Sequence, residues 1–206
     1  MRIDEITGYH QNPVYQTAKT VFDDPRDELR LSHHARLTAL DKFMDFLETH
    51  GFHKLGKGSY GLAFEKTGYP WIFKIFTTDD AYLNYVKYSL ANKSNPNVPR
   101  FKGGLIKIND HTFAMRIEKL KPLEHRNYQT GSDIRILASI LSVLSTTIDE
   151  IDEGNLEFIK ETYPGVYKIL SHYDNHFCFT FDIHGGNIMM RGNVPVIIDP
   201  IFDTNQ

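Results

Sequence analysis

Between residues 52 and 118 the chain consists of short apolar segments set too close together for anything but tight turns between them. FHKLG, GLAFEK and WIFKIF, rich in aromatic and β-branched residues, are separated only by KGSY and TGYP. Turns that short join antiparallel neighbours, whereas a parallel pair needs a crossover of about a dozen residues. The spacing predicts a three-stranded antiparallel meander. DDAYLNYVKYSLAN reads next as a helix capped by Asp79 or Asp80, and NKSNPNVPR as a loop. RFKGGLIKI and HTFAMRIE follow as two further strands turning at Asn109 and Asp110.

The flanks read differently. Residues 1–30 are polar and irregular and are expected to form an arm. SHHARLTALDKFMDFLETHG, from Ser32, carries Leu37, Leu40, Phe43, Met44 and Leu47 at helical spacing, with Gly51 as the stop. Beyond the strands, SDIRILASILSVLSTTID puts Ile134, Leu137, Leu141, Leu144 and Ile148 on one stripe behind a Ser132 or Asp133 cap. NLEFIKETYPGVYKILSHY is a second helical stretch, interrupted at Pro164. The fold class is α+β. A five-stranded antiparallel lobe with one helix precedes a reduced, mainly helical lobe, divided as 1–50 (arm and helix), 51–118 and 119–206.

Composition removes several function classes. A net charge of −3 without a long basic run leaves no electrostatic footprint for nucleic acid. The one cysteine, Cys178, excludes an internal disulfide framework and fits a reducing compartment. MRIDEITGYH lacks the apolar core of a secretory leader, and no run approaches the ~18 apolar residues that span a bilayer. A cytoplasmic protein without membrane or nucleic-acid partners is expected.

Three local patterns carry chemistry. In FDIHGGNIMM, Asn187 opens an apolar run, RGN offers a turn, and VPVIID ends at Asp199. A hairpin centred near Asn193 would bring Asn187 and Asp199 together across adjacent strands, about 5 Å apart. Two converging oxygen donors suit Mg²⁺, and Asp182, five residues upstream, would accept a proton from an incoming hydroxyl. The plain alternative is an Asx-rich loop beside a surface hairpin. In LGKGSYGLAF, Gly56, Gly58 and Gly61 have G-x-G-x-x-G spacing between two strands, where a glycine hairpin can offer N–H groups to phosphates. In WIFKIF, Lys74 shares a strand face with Ile72 and Phe76, so it must meet an anion or reach solvent from an edge strand.

In this order the patterns resemble the protein kinases. The resemblance implies a two-lobed kinase fold using ATP and Mg²⁺. It makes Gly56, Gly58 and Gly61 the glycine-rich loop and Lys74 the lysine on the α/β-phosphates. Asp182 becomes the base, Asn187 and Asp199 the metal ligands, and MRIEKL (115–120) the hinge, whose backbone near Glu118 and Leu120 meets the adenine. More closely, KLGKGSYGLAF, FDIHGGNIM and VPVIIDPI are similar to the early serine/threonine protein kinases of T-seven-like short-tailed bacteriophages, over residues 52–201. That family phosphorylates host proteins, which implies a host protein substrate and action in the bacterial cytoplasm. The transcription-shutoff domain that follows in those kinases is outside the resemblance.

Some positions depart from the kinase pattern. Thr180-Phe181 stands where His-Arg precedes the base, and Pro200 follows Asp199 in place of Phe-Gly. His184 gives the D-x-H-x-x-N form of antibiotic phosphotransferases. That form keeps a small-molecule kinase open, and a short C-lobe keeps a nucleotide-binding pseudokinase open. The acidic partner of Lys74 would be Asp79 or Asp80. His172 and His176 stand at i, i+4, but no third zinc ligand is in register, and they read as a helix end.

Overall fold

Phe52–Lys57 (β1), Gly61–Lys66 (β2) and Trp71–Thr77 (β3) form the expected meander, with antiparallel registers Phe52↔Lys66 and Phe64↔Phe73. Thr112–Glu118 (β5) pairs antiparallel with β3, and Phe101–Lys107 (β4) pairs with β5. The sheet order is β1-β2-β3-β5-β4. The computed structural model describes residues 48–49, 51–57, 61–77, 81–107, 112–123, 132–174 and 178–203.

The alternation of these strands buries one residue in two. Leu62 and Phe64 on β2, Phe73 and Ile75 on β3, and Ala114 on β5 are all buried. Met115 and Phe76 on the other face are buried as well, so β3 and β5 are covered on both sides. Gly51 takes φ 78° and donates to Glu48 O at 2.9 Å, which makes it the helix stop that the sequence predicts. Of the helix expected over 32–50, only Glu48 and Thr49 lie among the described residues, and both are helical.

The chain divides into two units, Met1–Asp79 with Phe101–Lys119, and Asp80–Arg100 with Leu120–Gln206. The second unit holds four α-helices among its described residues: Tyr82–Ala91 (α1), Asp133–Leu141 (α2), Glu153–Thr162 (α3) and Pro164–Tyr173 (α4). It also holds a two-stranded sheet of Phe179–Phe181 (β7) and Ile201–Asp203 (β10). A three-stranded sheet joins Lys121–Pro122 (β6), Ile188–Arg191 (β8) and Val194–Ile197 (β9) in the order β6-β8-β9.

One helix expectation lies outside the described residues and one needs correction. Helix α1 is described from Ala81 onward, and Asp79 and Asp80, the expected caps, lie outside the described residues. Its first turn buries Ala81, Tyr82, Tyr85 and Val86. The stripe read to Ile148 ends as a helix at Leu141; beyond it Leu144 is buried as expected, whereas Ile148 is only half-buried. The Ser145 and Thr146 hydroxyls bond the Glu150 carboxylate, and Thr147 N–H joins them, instead of continuing the helix, which is how local side-chain bonds compete with helical geometry. Pro164 does separate α3 from α4, standing at the first position of α4. No described helix is long and apolar enough to cross a membrane.

Candidate active site

Asp182 leaves β7 with its main chain already fixed. Phe181 N donates to Ser145 O at 2.6 Å, and Asp182 N donates to Pro200 O at 2.9 Å. The Asp182 side chain is exposed. His184 then turns back over the loop, with Nδ1 accepting from Gly186 N at 3.0 Å. An accepting Nδ1 assigns the ring hydrogen to Nε2, which stands 4.0 Å from Asp182 Oδ1. A Cβ at Gly186 would lie 2.8 Å from His184 Cε1, so a larger residue there would displace the His184 ring from this position.

Asn187 closes the loop. Its N–H donates to His184 O at 2.8 Å, and its Nδ2 donates to Asp182 O at 2.6 Å and, more weakly, to Asp182 Oδ2 at 3.5 Å. With the amide nitrogen spent inside the loop, Oδ1 is the end that can take a cation.

The hairpin exists as read, turning at Gly192 (φ 60°) and Asn193, but its register differs by one residue from the expectation. Ile188 pairs with Ile197, and Ile198 N donates to Asn187 O at 2.9 Å. Asn187 therefore meets Ile198, and Asp199 follows one residue later, half-buried. A two-residue turn sets this register, and the sequence alone leaves the count free by one. Fit to Mg²⁺ rests on the chemistry of the donors. An amide oxygen and a carboxylate are hard ligands, and Mg²⁺ characteristically takes one or two protein groups together with phosphates and water.

Two groups that sequence reasoning missed hold β9, and through it Asp199, and a third ties β8 to the loop around Asn97. The Tyr85 hydroxyl, on α1, donates to Ile197 O at 2.6 Å. Burial pushes the Tyr85 phenol well above its usual pKa, and the nearby charge of Asp199 adds a little in the same direction. Asn97 Nδ2 donates to Pro195 O at 2.7 Å, while Ile197 N donates to Asn97 O at 3.0 Å. Arg191 spans the same loop, with Nη1 on Pro96 O at 2.7 Å and Nη2 on Val98 O at 3.0 Å. The only sequence signal for this loop is an asparagine set between Pro96 and Pro99, which predicts a rigid turn but not its partner.

Of the remaining predicted site residues, Lys74, Gly56, Gly58, Gly61 and Glu118 belong to the first unit and Leu120 to the second. Lys74 sits on the central strand β3, opposite Ala63 and Met115, and is half-buried, so the edge-strand alternative does not apply. Gly61 must be glycine because a Cβ would stand 2.8 Å from Ile75 O, whereas Gly56 has nothing within 4 Å. Gly58 lies outside the described residues, as do Asp79, Asp80 and His176. Glu118 ends β5 opposite Trp71, and Lys119 N donates to Pro70 O at 3.3 Å. Lys119 also forms an ion pair with Glu65 on β2. Leu120 is buried, and it begins the second unit's later segment.

By class, then, this is an α+β protein with a five-stranded antiparallel sheet and, in its helical unit, an Asp–His–Asn loop feeding a hairpin that ends in a second aspartate. The family model described as bacteriophage T7 protein kinase 0.7 matches residues 22–206, and the chain belongs to that family of phage protein kinases. A search of curated proteins gives no match.

Proposed function

We propose that the protein is a serine/threonine kinase that transfers the γ-phosphate of ATP to hydroxyl groups of host proteins in the bacterial cytoplasm, using Mg²⁺. The observation that carries this reading is the Asp182–Asn187 loop, where the amide nitrogen of Asn187 is spent on Asp182 O. That bond leaves an exposed carboxylate and an amide oxygen at the same turn. In this reading Asp182 accepts the proton of the acceptor hydroxyl as its oxygen bonds the γ-phosphorus, and the bond to the β-phosphate oxygen breaks to release ADP. Asn187 Oδ1 and the Asp199 carboxylate would hold Mg²⁺, which when bound neutralises charge on the β- and γ-phosphate oxygens. Lys74 takes the α- and β-phosphates, and the main-chain N–H groups at Gly56, Gly58 and Gly61 face the triphosphate. The backbone at Glu118 and Leu120 meets the adenine edge.

His184 supports a second reading. Its ring braces the turn by accepting from Gly186 N, in the D-x-H-x-x-N form shared with antibiotic phosphotransferases, and a small-molecule hydroxyl would then be the acceptor. The two readings separate in a reaction of γ-labelled ATP, Mg²⁺ and bacterial lysate, run with wild type and with Asp182→Asn. Labelled protein bands that vanish with the variant are expected. ATP consumption that depends on a small-molecule extract, with unlabelled protein, would move the acceptor to a metabolite. ATP bound but never consumed would leave a nucleotide-binding pseudokinase and overturn both.

A further inference from the structure

After α2 stops, Ser145, Thr146 and Thr147 present consecutive donors to one carboxylate. Glu150 Oε2 accepts from Ser145 N at 2.6 Å and from Ser145 Oγ at 3.0 Å. Glu150 Oε1 accepts from Ser145 Oγ at 2.9 Å, Thr146 N at 2.9 Å, Thr146 Oγ1 at 2.6 Å and Thr147 N at 3.4 Å. The last contact completes a capping box for the 3₁₀ turn Ile148–Glu150. The bonds to Ser145 and Thr146 lie upstream of the cap, and the turn does not need them. Asp174 secures the other side, accepting from Thr147 Oγ1 at 3.0 Å and Ile148 N at 2.9 Å. The loop so fixed turns one carbonyl toward β7: Ser145 O accepts from Phe181 N at 2.6 Å, immediately before Asp182.

We infer that Glu150 is a positioning residue for phosphotransfer, holding the Ser145–Thr147 loop so that Ser145 O fixes the main chain entering Asp182. This rests on the reading of Asp182 as the group that meets the acceptor hydroxyl. The Thr146 hydroxyl and the Ser145 N–H hold the Glu150 carboxyl down at about 2, so the clamp is fully ionised at neutral pH. A glutamine cannot replace it. Its single oxygen cannot serve both Ser145 N and Thr146 N, and its NH₂ group would face an N–H. Asp182 is exposed, and its carboxylate has only a 3.5 Å contact with Asn187 Nδ2 and a 4.0 Å approach of His184 Nε2, so its aim depends largely on the backbone behind it. A displacement of about 1 Å in such a group can cost about 100-fold in rate.

The test compares full-length wild type, Glu150→Gln, Thr146→Val and Thr146→Ser. Amide exchange is followed at Phe181 and at Ile169 and Leu170 in α4, alongside the maximal rate and the KM for ATP. In Glu150→Gln and Thr146→Val, exchange at Phe181 should quicken about 10-fold or more while α4 is unchanged. Their maximal rate should fall about 10- to 100-fold at constant KM, with Thr146→Ser resembling wild type. Unchanged exchange at Phe181, faster exchange with an unchanged rate, or equal acceleration in α4 would each overturn the positioning role. A wild type that transfers no label would count against the kinase reading, and exchange alone would then decide whether Glu150 holds Phe181.

Discussion

Asn187 donates through Nδ2 to the main-chain oxygen of Asp182 at 2.6 Å, so the residue proposed for the cation and the residue proposed for the proton share one hydrogen-bonded loop. Their roles nevertheless separate by experiment. Asp182→Asn removes a base and should lower the maximal rate by about 10²–10⁴ while leaving the Mg²⁺ requirement where it was. Asn187→Ala removes a ligand and a loop bond together, so it should lower the rate and raise the Mg²⁺ concentration needed for half-maximal activity. A Mg²⁺ dependence altered by Asp182→Asn and untouched by Asn187→Ala would reverse the assignment.

The Tyr85 hydroxyl gives a second test, one of stability. Tyr85→Phe keeps the ring and leaves Ile197 O in a buried site without its donor. A buried acceptor stripped of its partner costs about 1–3 kcal/mol, which should appear as a lower urea midpoint at constant slope. Asp199 lies two residues beyond that carbonyl, so phosphotransfer should fall further than the stability loss explains. A midpoint equal to wild type would mean that the hydroxyl bond contributes nothing to holding β9.

What the sequence conveyed well was whatever depends on neighbours in the chain. The β1–β2–β3 meander, the break at Pro164 and the turn at Gly192–Asn193 are all local, and each is where the pattern puts it. The same holds for Asp182 and Asn187, whose five-residue offset is spanned by one loop. What failed depended on distant partners. Past Leu141 the apolar stripe marks Leu144 as buried but misses at Ile148, because Glu150 and Asp174 draw the backbone out of the helix, and neither acid is visible as a partner from hydropathy. Likewise Tyr85 and Asn97 look like ordinary helix and loop residues until the bonds to Ile197 and Pro195 appear, about 100 residues away in the chain.

Lys74 offers a third prediction because its position separates function from folding. It lies on the central strand between Ala63 and Met115, half-buried, where methionine matches its length but carries no charge. Lys74→Met should cost about 0.5–3 kcal/mol, the usual range for a single change, and its urea midpoint checks that it stays folded. If the lysine holds the α- and β-phosphates, the same variant should lose about 100-fold or more of phosphotransfer, chiefly through weaker or misaligned ATP. Full activity in the methionine variant would remove Lys74 from the nucleotide site.

The glycines of the β1–β2 hairpin should behave unequally. Gly61→Ala drives a methyl to 2.8 Å from Ile75 O on the neighbouring strand, a backbone atom that cannot swing aside. Overpacking of this kind costs about 1–3 kcal/mol, visible as a lower Tm. At Gly56 an added methyl meets nothing within 4 Å, so Gly56→Ala should leave stability within about 0.5 kcal/mol. Any loss of ATP affinity in Gly56→Ala would then report on nucleotide approach alone. A Tm for Gly61→Ala equal to wild type would show that the close approach at Gly61 is relieved by movement of the strand.

Acid stability gives the last prediction, and its sign follows from Glu150. The carboxyl, ordinarily near 4.5, is held at about 2 in the folded chain by Thr146 and Ser145. Between those values the unfolded chain binds more protons than the folded one, so stability from this group is complete above roughly pH 5 and drains away as pH falls toward 2. Glu150→Gln has no such proton to lose. The gap in Tm between wild type and Glu150→Gln should therefore be widest near neutrality and narrow steadily below pH 5, with solvent exposure of the carboxylate keeping the whole effect small. A gap that stays constant from pH 7 to pH 3 would mean that the Ser145 and Thr146 donors do not favour the ionised carboxylate, and the clamp would have to act through shape alone.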